Sequence, residues 1–394
     1  MTTPVYLNAI GITCALGDGV EAVADALLAA DGPRGLVPSA RYTPGRELML
    51  GEATGALDDL ATFPLALRGR NNALLHRAYA QMADAVAAAR ERVGTARIAV
   101  IVGTSPSGIG EAERALPKRD ADGWPAAFHY GQQEIGAPSR FIATLAAIHG
   151  PAWTVSTACS SGAKALASGA RLLRAGIVDA VIAGGGDSLC GFTLAGFSAL
   201  EAVSPQRSLP FSKNRNGINI GEGAALFLMS REPAPVRLAG WGESADAHHM
   251  SAPDPDGTGA IAAMQQALAR AGLSATDIDY VNLHGTGTEH NDAMEARAVH
   301  AALGAHVPAS STKPLTGHAL GASGAIEAAL AWIVLARNRH NHLPPHWYDG
   351  HYDPALPRIA LVEPGQRAAT PLRHVLSQSF AFGGSNAALV LGAG

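Results

Sequence analysis

VSTACSSGAKALASGARLLRAG, residues 155–176, passes from a β-branched run into a stretch built like a helix, and one of the chain's three cysteines stands at the junction. Ala163, Leu166, Ala170 and Leu173 recur at helical spacing, Arg171 and Arg174 fall in the last turn, and Gly176 follows as a stop. The pattern predicts a strand at Trp153–Thr157 and a helix from about Ser160 to Ala175. Cys159 then sits at the amino end of that helix. Unpaired backbone N–H groups and the positive end of the helix dipole stabilise a thiolate there, and such a position can bring a cysteine pKa from about 8.5 into a range of roughly 3.5 to 7.5. A nucleophile would be placed in this way. A lone free cysteine is more often a small buried core residue, which is the reading kept for Cys14 and Cys190.

Outward from this stretch, strand and helix patterns alternate. A helical pattern at 72–94 precedes the β-branched run RIAVIVGTS (97–105), and a strand at Ile177–Ala183 follows the cysteine helix. After Gly240 the rhythm restarts: GAIAAMQQALARAGL as helix, DIDYVNLHGTGT as strand, AMEARAVHAALG as helix, VPASST as strand and GAIEAALAWIVLARN as a long helix. Near-continuous apolar strands between helices predict an α/β fold in layers. VIVGTSPSG (100–108) echoes VNLHGTGTE (281–289), and VSTACSSGAKAL (155–166) echoes SSTKPLTGHALGASGAIEAAL (310–330) in layout, so we read a duplicated α/β unit. The seam lies near REPAPVRLAG (231–240), giving halves 1–237 and 238–394 that no low-complexity linker separates.

With 394 residues, 47% hydrophobic and 16% charged, the chain buries a large core. A net charge of −4 gives no general attraction to nucleic acid. Three distant cysteines form neither a disulfide framework nor a Cys-x-x-Cys pair, which fits a cytoplasmic protein, and no metal motif, phosphate loop or dinucleotide fingerprint is present. The N-terminus lacks a basic n-region and the longest apolar run, Ala328–Ala336, is too short for a bilayer, so neither export nor membrane insertion is expected.

Two histidines raise the standing of Cys159. His284 in NLHGTGT directly follows a strand, and His318 in TKPLTGHALGASG precedes a helix; glycines flank both and let a substrate approach. Either alone reads more readily as a structural histidine. His248, His249, His340, His342, His346 and His351 fall in polar or Pro-rich loops and read as solvated.

Together, STACSSG, HGTGT, TKPLTGHALGASGAIEA and SFAFGGSN, in this order, resemble the β-ketoacyl carrier protein synthases, condensing enzymes of the ketosynthase I/II type with the duplicated thiolase fold. LPFSKNRNGINIGEGAALFLM (209–229) looks like a further family stretch, and the likeness runs from AIGITCALGDGVE to GGSNAALVLG. It implies an α-β-α-β-α layering and a decarboxylative condensation of a cysteine-bound acyl group with malonyl carried by acyl carrier protein. Cys159 would hold the acyl group as a thioester. Its backbone N–H and that of Phe382 would form the oxyanion hole. His284 and His318 would polarise the malonyl thioester, and Lys313 with Glu327 would form a buried ion pair behind the second histidine. Thr286 and Thr288 would face the pantetheine arm, Phe380 and Phe382 would gate it, and Asp292 would be structural. Carrier-protein docking candidates are Arg68, Arg70, Lys213 and Arg215.

No cofactor of the protein's own is implied, because the substrates ride on the 4'-phosphopantetheine of the acyl carrier protein. The implied assembly is a homodimer, or a heterodimer with a chain-length-factor-like subunit. Such a factor is itself a competing reading, and the retained Cys159, His284 and His318 stand against it. The absence of cysteine after residue 190 stands against a degradative thiolase, and TGHALGASG against a starter-type synthase. Departures from the pattern are Ala381, where glycine is usual between the gating phenylalanines, and Lys164, where relatives often carry histidine and to which no role attaches. ACSSG after the nucleophile points to a dedicated pathway of the polyketide kind, an aryl polyene for example, as the alternative to housekeeping fatty acid synthesis.

Overall fold

The structure, a computed structural model, describes residues 3–338 and 340–394. In the first half, β1 (Tyr6–Cys14), β2 (Ile98–Gly103), β3 (Ala152–Val155), β4 (Ala180–Asp187) and β5 (Gly223–Ser230) lie side by side as β3-β2-β4-β5-β1. In the second, β6 (Val236–Ala245), β7 (Tyr280–Leu283), β8 (Pro308–Ser311), β9 (His374–Ala381) and β10 (Ser385–Ala393) lie as β8-β7-β9-β10-β6. Ranked by appearance in the chain, both halves read third, second, fourth, fifth, first. Both are parallel among the first three neighbours and antiparallel thereafter. The halves are topological copies, and the two sequence echoes fall on equivalent places: the end of the second strand, and the passage from the third strand into its helix. A single register pair, Tyr6 with Arg237, joins the two sheets through β1 and β6.

Helices α1 (Arg70–Ala80) and α2 (Ala137–Leu145) cover one face of the first sheet, where Leu74, Leu75, Phe141 and Ile142 share a core with Val100 and Ile182. The inner faces of both sheets close on α3 (Ser161–Arg174) and a last helix whose range is given below. Helices α4 (Thr258–Ala271) and α5 (Glu289–Leu303) cover the outer face of the second sheet with Met264, Met294 and Val299 against Val281 and Leu376. The last helix, α6 (Ser323–Ala336), is apolar nearly all round because it is enclosed nearly all round. The resulting succession is α-β-α-β-α, a thiolase-like fold.

One strand boundary differs from the expected one at a glycine run. The strand expected at Ile177–Ala183 runs instead from Ala180 to Asp187 and includes Gly184–Gly186. A Cβ at Gly184 would lie 2.0 Å from the Ala225 carbonyl oxygen, so this run serves close packing inside the strand.

The same device brings α3 and α6 together. A Cβ on Gly162 would stand 2.8 Å from the Ala325 nitrogen, and one on Gly324 would stand 2.9 Å from the Ala163 nitrogen. The two central helices therefore touch backbone to backbone at their amino ends. Gly162→Ala forces backbone apart, and its expected cost is about 1–3 kcal/mol in chemical or thermal unfolding, despite alanine's better helix propensity. A stabilised variant would contradict this packing.

Candidate active site

The junction between β3 and α3 is a tight turn in which Ala158 takes φ +50°. Ser161 Oγ braces it, accepting from the Thr157 N–H at 2.9 Å and donating to the Ala158 carbonyl at 2.6 Å. Cys159 follows the strained residue and is delivered to the mouth of α3. In the second half the equivalent junction, between β8 and α6, carries a one-turn helix Lys313–Thr316, then His318, then Leu320 at φ +48°. Because α3 and α6 meet at their amino ends, the two junctions face each other. Cys159 Sγ lies 2.8 Å from His318 Nε2.

His284 arrives at the end of β7, and its ring centroid is 5.3 Å from that of His318 with the planes at 86°. The loop holding it is pinned by Glu295 of α5, whose carboxylate accepts the His284 and Gly285 N–H groups at 2.6 Å each. Asp292 pins the same loop by accepting from Gly287 N–H at 3.2 Å and from Phe211 N–H at 2.8 Å. Burial pushes the Glu295 carboxyl up to about 8, opposed by these backbone donors.

Lys313 and Glu327 are both buried and paired at 2.5 Å. They stand behind the first histidine, not the second: Lys313 Nζ is 3.4 Å from His284 Nδ1. The expectation that the pair supports His318 is corrected accordingly. The position beside Nδ1 of His318 belongs to Ser323, whose hydroxyl lies 2.8 Å away. The physical reason is that Lys313 opens the one-turn helix directly after β8, which runs beside β7, so its side chain reaches the end of the neighbouring strand.

Burial also changes the expected charge state of the nucleophile. It pushes the Cys159 thiol up to about 12, against the Lys313 charge and the Phe382 backbone N–H, which act in the lowering direction. Burial first, and then the Lys313 charge, hold both His284 and His318 well below the usual imidazole value. A neutral thiol therefore faces neutral imidazoles at rest, where the helix mouth alone had suggested a thiolate. Alkylation of Cys159 by iodoacetamide is expected to keep accelerating as pH rises past about 9, because thiolate is the nucleophile and its population still grows there. A rate that levels off near neutrality would show that burial does not govern this sulfur.

A cavity of about 560 Å³ reaches these groups from the surface and is lined by Cys159, His284, His318, Thr286, Thr288 and Phe380 among others. The Thr286 and Thr288 hydroxyls lie 2.8 Å apart. Phe380 is buried with its ring 6.0 Å from that of His284, whereas Phe382 is 40% exposed and stacks on Phe197 at 5.7 Å. Ala381 between them has φ −115° and ψ 153°, extended backbone that alanine adopts without strain.

Two of the docking candidates are committed elsewhere. Arg70 is ion-paired with the fully buried Glu222, and Arg215, whose side chain is only 7% exposed, is paired with Asp353. Arg68 is half-buried with Nε on the Phe63 carbonyl at 2.7 Å, and Lys213 is exposed. Arg-x-Gly and Arg-rich turns near a site resemble surface cations in sequence, but carboxylates from distant segments neutralise them here. His346, read as solvated, is buried: Nδ1 accepts from Ser311 N–H at 3.1 Å and burial brings its pKa down to about 4.

Three supporting residues escaped the sequence reading. Ser323 and Glu295 stand in apolar helical stretches, a signal visible in AMEARAV for the glutamate. Asp187 gave none. It ends β4 and accepts two contacts from Ser105 N–H, at 3.1 and 3.0 Å, as well as the N–H groups of Gly321 and Ala322. It thus ties the loop before Ser323 to the first half.

This arrangement, a buried cysteine and two histidines joined across duplicated halves, is that of the ketosynthase condensing enzymes of fatty acid and polyketide synthesis. The chain belongs to the β-ketoacyl synthase family: the model of the family's N-terminal domain matches residues 3–234 and that of its C-terminal domain residues 236–347. It is 33% identical to a polyketide β-ketoacyl synthase of Streptomyces cyaneus across 99% of this chain and 98% of that protein. It is 39% identical to 3-oxoacyl-[acyl-carrier-protein] synthase 2 of Rhizobium meliloti over 263 residues, 62% of this chain and 61% of that protein. Among solved structures, a ketosynthase (ApeO) in complex with its chain length factor (ApeC) from Xenorhabdus doucetiae matches with 44% identity, TM-score 0.92, and 100% and 98% of the two chains covered. The ishigamide ketosynthase/chain length factor matches at 28% identity and TM-score 0.88, with both chains fully covered. Among the described residues no helix is long and apolar enough to cross a membrane.

Proposed function

We propose that the chain is an active β-ketoacyl-acyl carrier protein synthase that joins a Cys159-bound acyl group to malonyl-acyl carrier protein with loss of carbon dioxide. The observation that carries this reading is the 2.8 Å contact of Cys159 Sγ with His318 Nε2, at the end of a cavity that His284 also lines. In the first half-reaction Sγ forms a bond to the acyl carbonyl carbon, its proton passes to His318 Nε2, and the pantetheine sulfur leaves and takes up that proton. The backbone N–H groups of Cys159 and Phe382 receive the transient oxyanion. In the second, the bond from the malonyl α-carbon to its carboxylate breaks, carbon dioxide departs, and the electron pair is held as an enolate. That carbon then bonds to the acyl carbonyl and Cys159 leaves as thiolate, to be reprotonated.

The imidazoles serve this step as donors. The Lys313 ammonium beside His284 Nδ1 directs a proton at that nitrogen, so the ring's own hydrogen sits on Nε2. The Ser323 hydroxyl can donate to or accept from His318 Nδ1, which leaves Nε2 able to accept in the first half-reaction and donate in the second. The substrates bring their own carrier arm, 4'-phosphopantetheine, and the protein supplies no cofactor.

The partner in this reading is a chain-length-factor-like subunit. β3 lies at the outer end of the strand order and, among the described residues, its outer edge is unpaired; its residues are half-buried or exposed, so an edge is open for a second subunit. Similarity to solved ketosynthase/chain length factor complexes supports the same assignment. The test is incubation of the purified chain, alone and with a chain-length-factor subunit, with acyl- and malonyl-acyl carrier protein. The expected result is an acyl mass on the Cys159 peptide and a β-ketoacyl product; product without modification of that peptide would refute the reading.

A further inference from the structure

Lys164 lies on α3, one turn beyond Ser160, and its ammonium donates to the hydroxyl of Ser385 at 2.6 Å. Ser385 opens β10, directly after the turn Phe382–Gly384. Its oxygen lies 3.0 Å from Ser160 Oγ, and Ser160 Oγ in turn donates to the Thr157 carbonyl at 2.8 Å. The ammonium has only protons to give, so the Ser385 hydroxyl accepts from it and spends its own proton on Ser160. The chain of hydrogen bonds then has one direction, from Lys164 through Ser385 and Ser160 to the backbone of the nucleophile turn, where the Thr157 hydroxyl also lies 3.0 Å from Ser160 Oγ. Among the described residues Lys164 forms no ion pair, and burial, followed by the charge of Arg171, lowers its pKa. A half-buried cation without a carboxylate is costly to keep unless its hydrogen bond does something.

What this bond spans is the gap between the two oxyanion donors. Ser160 is the neighbour of Cys159, and Ser385 follows Phe382 by three residues. Gly383 and Gly384, at φ +80° and +72°, lie between and offer no side chain to fix the turn. We propose that Lys164, Ser385 and Ser160 form a clamp that sets the distance between the Cys159 and Phe382 N–H groups, making Lys164 and Ser385 positioning residues for the oxyanion hole. The proposal rests on the reading of Cys159 as the acyl carrier.

The test compares Lys164→Met, Ser385→Ala and the conservative Lys164→Arg in two reactions of the same sulfur. Single-turnover transfer from acyl-acyl carrier protein builds an oxyanion; alkylation by iodoacetamide displaces iodide at a saturated carbon and builds none. Since loss of an oxyanion donor costs about 10²- to 10³-fold, a misplaced one is expected to slow acyl transfer about ten- to a hundredfold in the Met and Ala variants. KM for the acyl carrier protein and the alkylation rate should stay within about twofold, with Lys164→Arg recovering most of the transfer. Unchanged transfer, or transfer and alkylation falling together as general distortion would make them, overturns the clamp. The wild-type protein separates the two levels: no acylation of the wild type refutes the condensing-enzyme reading and the clamp with it, whereas normal wild-type transfer with unaffected variants refutes the clamp alone.

Discussion

Cys159→Ala should abolish condensation, with a loss of about 10⁴-fold or more, because removal of a covalent nucleophile takes away both half-reactions at once. The substitution removes one atom from a buried site and should leave the fold in place. Its value lies in what it spares. His284, His318 and the cavity remain, so release of carbon dioxide from malonyl-acyl carrier protein should persist without product formation. Measuring carbon dioxide and β-ketoacyl product in parallel separates the roles of the sulfur and the imidazoles. A variant that still condenses would remove Cys159 from the mechanism, and one that loses decarboxylation in step with condensation would show that the imidazoles do not act independently of the sulfur.

The parts of this molecule that were readable in the sequence are those where local pattern and tertiary role agree. The helix after Cys159 was legible because its apolar stripe, terminal arginines and final glycine all pointed the same way. The duplication was legible because both halves end their second strand in a Gly-Thr turn and pass from the third strand into a glycine-bearing helix. Residues whose role depends on a distant partner were not. Arg70 reads as a surface cation until Glu222, 152 residues away, comes to meet it. His346 sits in a Pro-rich stretch that looks solvated, yet it is enclosed between the Ser311 N–H and the Pro210 carbonyl. The charge state of Cys159 belongs to the same class: the helix end is a local fact and acts as expected, but enclosure by the other half outweighs it.

That dependence on the other half explains why the site is built from junctions. Each half alone offers one strand-to-helix turn with a strained residue, Ala158 or Leu320, and a reactive side chain next to it or two positions before it. Neither turn can do chemistry by itself. Glycines at 162 and 324 let α3 and α6 approach, Asp187 holds the Gly321–Ala322 turn against the first half, and the sulfur and the imidazole are brought within 2.8 Å as a consequence of packing.

Lys313→Met should be the most damaging substitution for stability near the site, because it leaves Glu327 enclosed with no cation. Breaking a buried pair from one side costs about 3–5 kcal/mol. Among the described residues Glu327 has no second partner to fall back on, since its Oε2 already lacks a hydrogen bond. The cost should depend on pH in a definite direction. Burial raises the Glu327 carboxyl above its ordinary value and Lys313 opposes this; without the lysine the folded protein must hold the carboxyl protonated while the unfolded chain releases its proton above about 4.5. A raised folded value contributes stability that is full below the unfolded value and is lost as pH climbs toward the folded one. The deficit of Lys313→Met against wild type is therefore expected to be small near pH 5 and to widen toward pH 8. Lys313→Met combined with Glu327→Gln should flatten that dependence, since nothing is left to titrate. The lysine also lowers both imidazoles and the thiol, so its loss should move the thiol further up and shift the pH at which Cys159 alkylates in the alkaline direction. Denaturant unfolding of the three proteins across this range decides the matter: a deficit that shrinks as pH rises would mean that Glu327 is not held by Lys313 in the folded protein.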